Sequence, residues 1–109
     1  MRIWDISPKK LCRNHLLGEH RELHAIWSIL TKNKKGYSKH PETLRWKGKL
    51  AALYARHQAL VAEMKSRGYN HYSDLNRKLA TGSRKQNVFI DSRKKQIKIL
   101  MNKKCGCQV

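Results

Sequence analysis

PETLRWKGKLAALYARHQALVAEMKSRG, residues 41–68, is the stretch that decides how this chain folds. Trp46, Leu50, Leu53, His57, Leu60, Val61 and Met64 recur at three-and-four spacing, the period of an amphipathic helix. Gly68 stands where a C-terminal cap belongs, so the spacing predicts one helix from about Pro41 to Arg67. His57 falls inside the apolar stripe and reads as a hydrogen-bonded core or boundary histidine, not a ligand.

A helix with one apolar stripe needs a partner, and the segment before it supplies one. Met1–Ile6 is a short apolar-polar lead-in. Ser7-Pro8 reads as an N-cap followed by proline at the first helical position. A helix is expected from about Pro8 to Leu30, with Cys12, Leu16, Leu23, Trp27 and Leu30 on one stripe. Thr31–Lys39 is a basic loop. After Tyr69 the periodicity fades: YNHYSDL and ATGSRKQN read as loops around a single helical turn, and NVFI is too short to assign. Asp91 or Ser92 caps a last basic helix, RKKQIKILMNKK. The expected class is mainly α: a compact single domain, residues 1–109, with two long packed helices and a basic, partly irregular C-terminal segment.

Charge narrows the function. The 109 residues carry 25 Lys and Arg against 7 Asp and Glu, a net +18. Such an excess attracts polyanions, so nucleic acid is the leading partner class. No apolar run approaches the roughly 18 residues that cross a bilayer, and MRIWDISPKK lacks a secretory signal. The expected location is the cytoplasm, with the nucleoid. Cys12, Cys105 and Cys107 are odd in number and form no disulfide framework. The pair Cys105-Gly-Cys107 has the chemistry to bind a metal with a histidine. One such pair at a chain terminus does not specify a site, and no metal or other cofactor is expected.

HLLGEHRELH, residues 15–24, gathers three of the six histidines. On a helical wheel centred on Glu22, His15 lies within about 20° of the carboxylate and Gly18 within about 40°. Asn14 and Arg21 follow on the same flank, at about 80° and about 100°. His20 and His24 fall on the far side, each about 160° away, where a solvated or DNA-facing role is expected. A zincin needs its glutamate directly after the first histidine, beside the metal-bound water. Here Glu22 points the other way, and that reading fails. What remains is an arc of Glu22, His15, Asn14 and Arg21, with Gly18 leaving room one turn below the carboxylate.

Arg2-Ile3, then His15-Leu16-x-x-Glu19-x-Arg21-Glu22-Leu23, then Lys49-Leu50 and Lys65-x-Arg67-Gly68-Tyr69-Asn70, resemble the pyrimidine-dimer DNA glycosylase (endonuclease V) family of phage over about the first seventy residues. The resemblance implies excision of cyclobutane pyrimidine dimers from duplex DNA by glycosylase and AP-lyase chemistry. It implies an N-terminal α-amine as nucleophile, here that of Met1, and Glu22 as the key acid. Arg2 is bulky and keeps Met1 in place, so deformylation becomes essential. An α-amine has a pKa of about 7.7–8.0 against about 10.4 for lysine, and its neutral fraction can attack a sugar carbon to form an imine. Arg2 and Arg21 suit phosphates, and His15, Asn14 and Lys49 complete the expected DNA-binding set.

Two departures stand out. His24-Ala25 replaces the Pro-Arg of phage members, and their aromatic-rich C-terminal segment gives way to a basic one. The expected partner is damaged double-stranded DNA, engaged by a monomer without membrane or small-molecule cofactor. The rival readings are a non-catalytic duplex-binding module on the same scaffold and a ribosomal-type basic RNA-binding protein.

Overall fold

The computed structural model describes residues 2–70, 73–103 and 105–109. Four helices form the frame: α1 (Arg13–Lys32), α2 (Pro41–Trp46), α3 (Leu50–Ser66) and α4 (Arg93–Asn102). The described residues hold no strand, and an isolated bridge joins Lys49 to Gly82. None of the helices is long and apolar enough to cross a membrane.

α1 and α3 are the expected long pair, packed antiparallel. The Arg13 guanidinium lies 5.8 Å from the Tyr69 ring just past α3, while Trp27 near the other end of α1 is 6.3 Å from Tyr54. Leu16, Leu23, Ile26 and Trp27 of α1 share one core with Leu53, Leu60 and Met64 of α3. Trp46 of α2, Leu100 of α4 and Ile3, Trp4, Ile6 and Leu11 of the lead-in complete it. At about 1.5–3 kcal/mol per buried large side chain, this one cluster is the main favourable term of folding.

Two helix boundaries differ from the sequence expectation. The helix from Pro8 is only a 3-10 turn, Pro8–Lys10, and α1 begins after Cys12. Ser7 makes no side-chain cap. Instead the Arg67 guanidinium gathers the carbonyls of Pro8, Lys9 and Leu11 at 3.2, 3.3 and 2.7 Å, satisfying acceptors that a continuous helix would have used.

The helix from Pro41 is also broken. α2 ends where Lys47 turns extended, and Gly48, at φ +75° in the left-handed region, re-aims the chain into α3. The break is held from outside: Ala51 and Ala52 donate their backbone N–H groups to the carbonyls of Thr81 and Ser83 at 2.8 and 3.1 Å. Those are orphan donors of α3's first turn, capped by a segment thirty residues downstream. The other ends follow the sequence. Gly68, at φ +81°, and Tyr69 close α3 by donating to Lys65 and Met64 carbonyls. Ser92 caps α4 by accepting from Lys95 N at 3.2 Å. NVFI is irregular, and one turn, Arg77–Leu79, interrupts the loops.

Candidate functional site

The extended lead-in, residues 2–6, is fastened to three helices. Trp4 donates its backbone N–H to Glu19 Oε1 of α1 at 3.0 Å. Ile3 gives its carbonyl to Arg45 of α2 at 2.9 Å, and that guanidinium also reaches Asp5 at 3.2 Å. Gln96 of α4 accepts from Asp5 N at 2.8 Å and donates to its carboxylate at 3.0 Å. Arg45 itself is buried, with Glu42 as a close second carboxylate. Every buried charge in this clamp therefore has a partner, as desolvation requires.

Glu19 is the residue that sequence reasoning passed over. Its side chain is wholly buried, and both oxygens accept from Arg56 of α3, at 2.6 and 2.9 Å. Burial pushes its carboxyl up from the ordinary 4.5, while Arg56 and the Trp4 N–H pull against that shift. A signal existed. On the wheel Glu19 lies about 60° from Glu22 toward Leu23 and Leu16, at the border of the apolar stripe, where a buried carboxylate must be paired.

Glu22, one turn further along α1, has the opposite situation. It is half-buried and has no hydrogen bond or ion pair among the described residues. Of the seven carboxylates, Asp5, Glu19, Glu42, Glu63 and Asp91 are all ion-paired, the last with both Arg2 and Lys95. In a chain of net +18, a half-buried acid kept out of every such pair is conspicuous.

The remaining expected site residues divide. Arg21 and Asn14 are exposed on the flank of α1 beside Glu22, and the space over Gly18 is open. Arg2 pairs with Asp91 at 2.9 Å and lies 5.0 Å from the Trp4 ring, with its side chain still a third exposed. Lys49, at the start of α3, donates to Gln86 at 2.7 Å. His15 meets the Trp4 ring edge-on, and its Nδ1 faces Cys12 and Cys107 at 3.1 and 3.4 Å. Burial, then Lys103, lowers its pKa. The expected nucleophile, Met1, lies outside the described residues.

His20 and His24 are not solvated as expected. They pack on His57 of α3, with ring centroids 4.6 to 5.1 Å apart. His24 Nε2 lies 3.2 Å from His57 Nε2, and both approach the Ser73 carbonyl, at 3.1 and 2.9 Å. His20 Nε2 is buried without a hydrogen-bond partner among the described residues. Burial and the two neighbouring rings lower His20 to about 4. His57 is thus the buried boundary histidine that its position implied, but it closes a three-imidazole cluster. Donor atoms suited to a metal converge at two places among the described residues: this cluster, and Cys12, His15, Cys105 and Cys107.

The geometry combines a lead-in clamped at Trp4, an acid one turn away that is unpaired among the described residues, and the exposed Arg21 and Asn14 on its flank. No curated protein and no solved structure matches the chain. The family model for pyrimidine dimer DNA glycosylases matches residues 1–77, well over half of the length, and the chain belongs to that family.

Proposed function

We propose that this protein removes a damaged pyrimidine from duplex DNA and then nicks the abasic site, with the α-amine of Met1 as nucleophile and Glu22 as acid and base. The observation that carries the reading is Glu22 itself, half-buried and unpaired among the described residues while the other α1 glutamate is locked to Arg56. Trp4 is tethered one turn below it, and three residues of chain span at most about 10 Å. That reach suffices to bring the terminal amine to the acid.

The chemistry follows from the two groups. The neutral amine attacks the sugar C1′, the C1′–base bond breaks, and the departing base takes up a proton. Glu22 protonates the ring oxygen as the sugar opens to an iminium, whose positive charge a carboxylate tolerates. Loss of a C2′ proton then expels the 3′ phosphate by β-elimination, and water hydrolyses the imine to regenerate the amine. Arg21, Asn14, Arg2 and Lys49 would hold flanking phosphates, which fix register without reading sequence. Poorly stacked damaged steps are cheaper to flip or kink, and this supplies selectivity.

Borohydride trapping on ultraviolet-irradiated duplex tests the proposal, using protein with an untagged amino terminus. A covalent adduct on Met1 is expected, lost on N-terminal acetylation and reduced by roughly 10²–10⁴ in Glu22→Gln. Tight binding to irradiated and abasic duplex with no adduct would instead make the chain a non-catalytic binding module.

A further inference from the structure

We propose that Cys12, His15, Cys105 and Cys107 bind one zinc ion in a tetrahedral Cys3His site that fastens the C-terminal tail to the start of α1. The four residues each offer one ligand atom, and all four atoms lie within 4.8 Å of one another. Cys12 Sγ is 3.1 Å from His15 Nδ1, Cys107 Sγ is 3.4 Å from the same nitrogen, and Cys105 Sγ is 3.4 Å from Cys107 Sγ. Zinc bonds of about 2.3 Å to sulfur and about 2.0–2.1 Å to nitrogen place tetrahedral S···S and S···N edges at about 3.8 Å and about 3.6 Å. These three edges need to open by only about 0.2–0.5 Å to reach that geometry, and the remaining edges lie within 4.8 Å.

Local structure explains why these atoms converge. Cys12 is the residue before α1 and His15 lies within its first turn, so an i,i+3 pair shares one face. Gly106, at φ +88°, turns the chain between the other two thiols. The tail is then held in place by its backbone. Gln108 donates to the Lys10 carbonyl at 2.8 Å, and Cys12 N–H points at Cys107 Sγ at 3.0 Å. An N–H donated to a sulfur is the kind of surrounding contact that supports a metal thiolate.

The donor set selects the ion. Three sulfurs and one imidazole in a closed four-coordinate arrangement suit zinc, and leave no open position for substrate. Binding would release three thiol protons to solvent and convert the cluster to a net charge of −1. In a +18 chain that charge also relieves self-repulsion. The inference is independent of the proposed catalysis and gives His15 a structural task where a DNA contact was expected.

The test uses full-length protein purified under reducing conditions, with metal content and cobalt titration read separately. One zinc per chain is expected, and cobalt should give sulfur-to-metal charge transfer together with the strong visible bands of a tetrahedral ion. Cys105→Ser and Cys107→Ser should each weaken the charge-transfer band by about a third or more and bind zinc at least tenfold more weakly, while His24→Gln, which alters the imidazole cluster, should leave both unchanged. A reduced wild-type chain that takes up no zinc and shows no thiolate–cobalt band overturns the proposal without any variant. Metal retained in the cysteine variants and lost in His24→Gln also overturns it.

Discussion

Replacing Arg56 by leucine strands the Glu19 carboxylate in the core. That side chain is fully buried, and Arg56 is its only cationic partner among the described residues. An exposed pair would be worth about 1 kcal/mol or less, but removing one member of a buried pair costs about 3–5 kcal/mol. Protonation sets a ceiling. A carboxyl that ordinarily titrates near 4.5 can be kept neutral at pH 7 for (7 − 4.5) × 1.36, or about 3.4 kcal/mol. The sign follows: Arg56→Leu raises the folded-state pKa beyond the already raised wild-type one, so its penalty appears only above the wild-type pKa, grows as pH rises, and stays below that ceiling. At pH 5 the same arithmetic leaves at most about 0.7 kcal/mol. Urea unfolding followed by the buried tryptophans 4, 27 and 46 should therefore show Arg56→Leu about 1–3 kcal/mol below wild type at pH 7 and less than about 1 kcal/mol below at pH 5. Glu19→Leu/Arg56→Leu removes both charges and should recover part of the loss at pH 7. It stays below wild type because the buried Trp4 N–H has lost its acceptor. A loss at pH 7 below about 1 kcal/mol, or one equal at both pH values, would refute the electrostatic account of this pair.

Acid should destabilise the fold through His20. Its pKa of about 4 lies below the ordinary 6.5, so the unfolded chain takes up the proton first, and stability present above pH 6.5 is lost as pH falls toward 4. The full shift corresponds to about 3 kcal/mol, which partial exposure reduces to about 1–2; His20→Gln should flatten that limb in urea titrations, and an unchanged slope would rule the residue out. Gly82→Ala should lower stability by about 2–4 kcal/mol in thermal unfolding, because Gly82 holds φ +82° and an added Cβ would strike the Gly48 carbonyl oxygen. Gly48→Ala, at φ +75° with open space around it, should cost only about 1 kcal/mol, and equal losses would contradict the steric argument. Binding to undamaged duplex should weaken about a thousandfold between about 50 and 200 mM salt if six phosphates are engaged, and a flat salt profile would exclude phosphate-led binding.

Sequence pattern revealed the α1–α3 pair because each helix has one continuous apolar stripe, and it revealed the ends of α3 and α4 because Gly68 and Ser92 act locally. The break at Gly48 was hidden for a physical reason. Trp46 and Leu50 preserve helical spacing across it, while the groups that hold the break, Thr81, Gly82 and Ser83, lie more than thirty residues away. Ser7 failed as a cap for a similar reason: Arg67 takes the carbonyls of the turn it would have started. The wheel separated Glu22 from His20 and His24 correctly. It could not show that α3 presents His57 to those two histidines, because a wheel contains one helix and no neighbour.

The same limit explains why Glu19 and Glu22, three residues apart, have different fates. On α1 alone both border the apolar stripe and either could serve as an acid. α3 decides between them by placing Arg56 against Glu19, and the Trp4 amide then uses the remaining capacity of that carboxylate. The buried pair becomes an anchor for the lead-in, not a proton donor. The region beyond the family match reinforces the anchor, since Asp91 and Gln96 bind Arg2 and Asp5. The basic C-terminal part of this chain thus acts on the proposed chemistry through the position of its first residues, and of the two α1 glutamates the acid proposed for that chemistry is the one that no guanidinium among the described residues reaches.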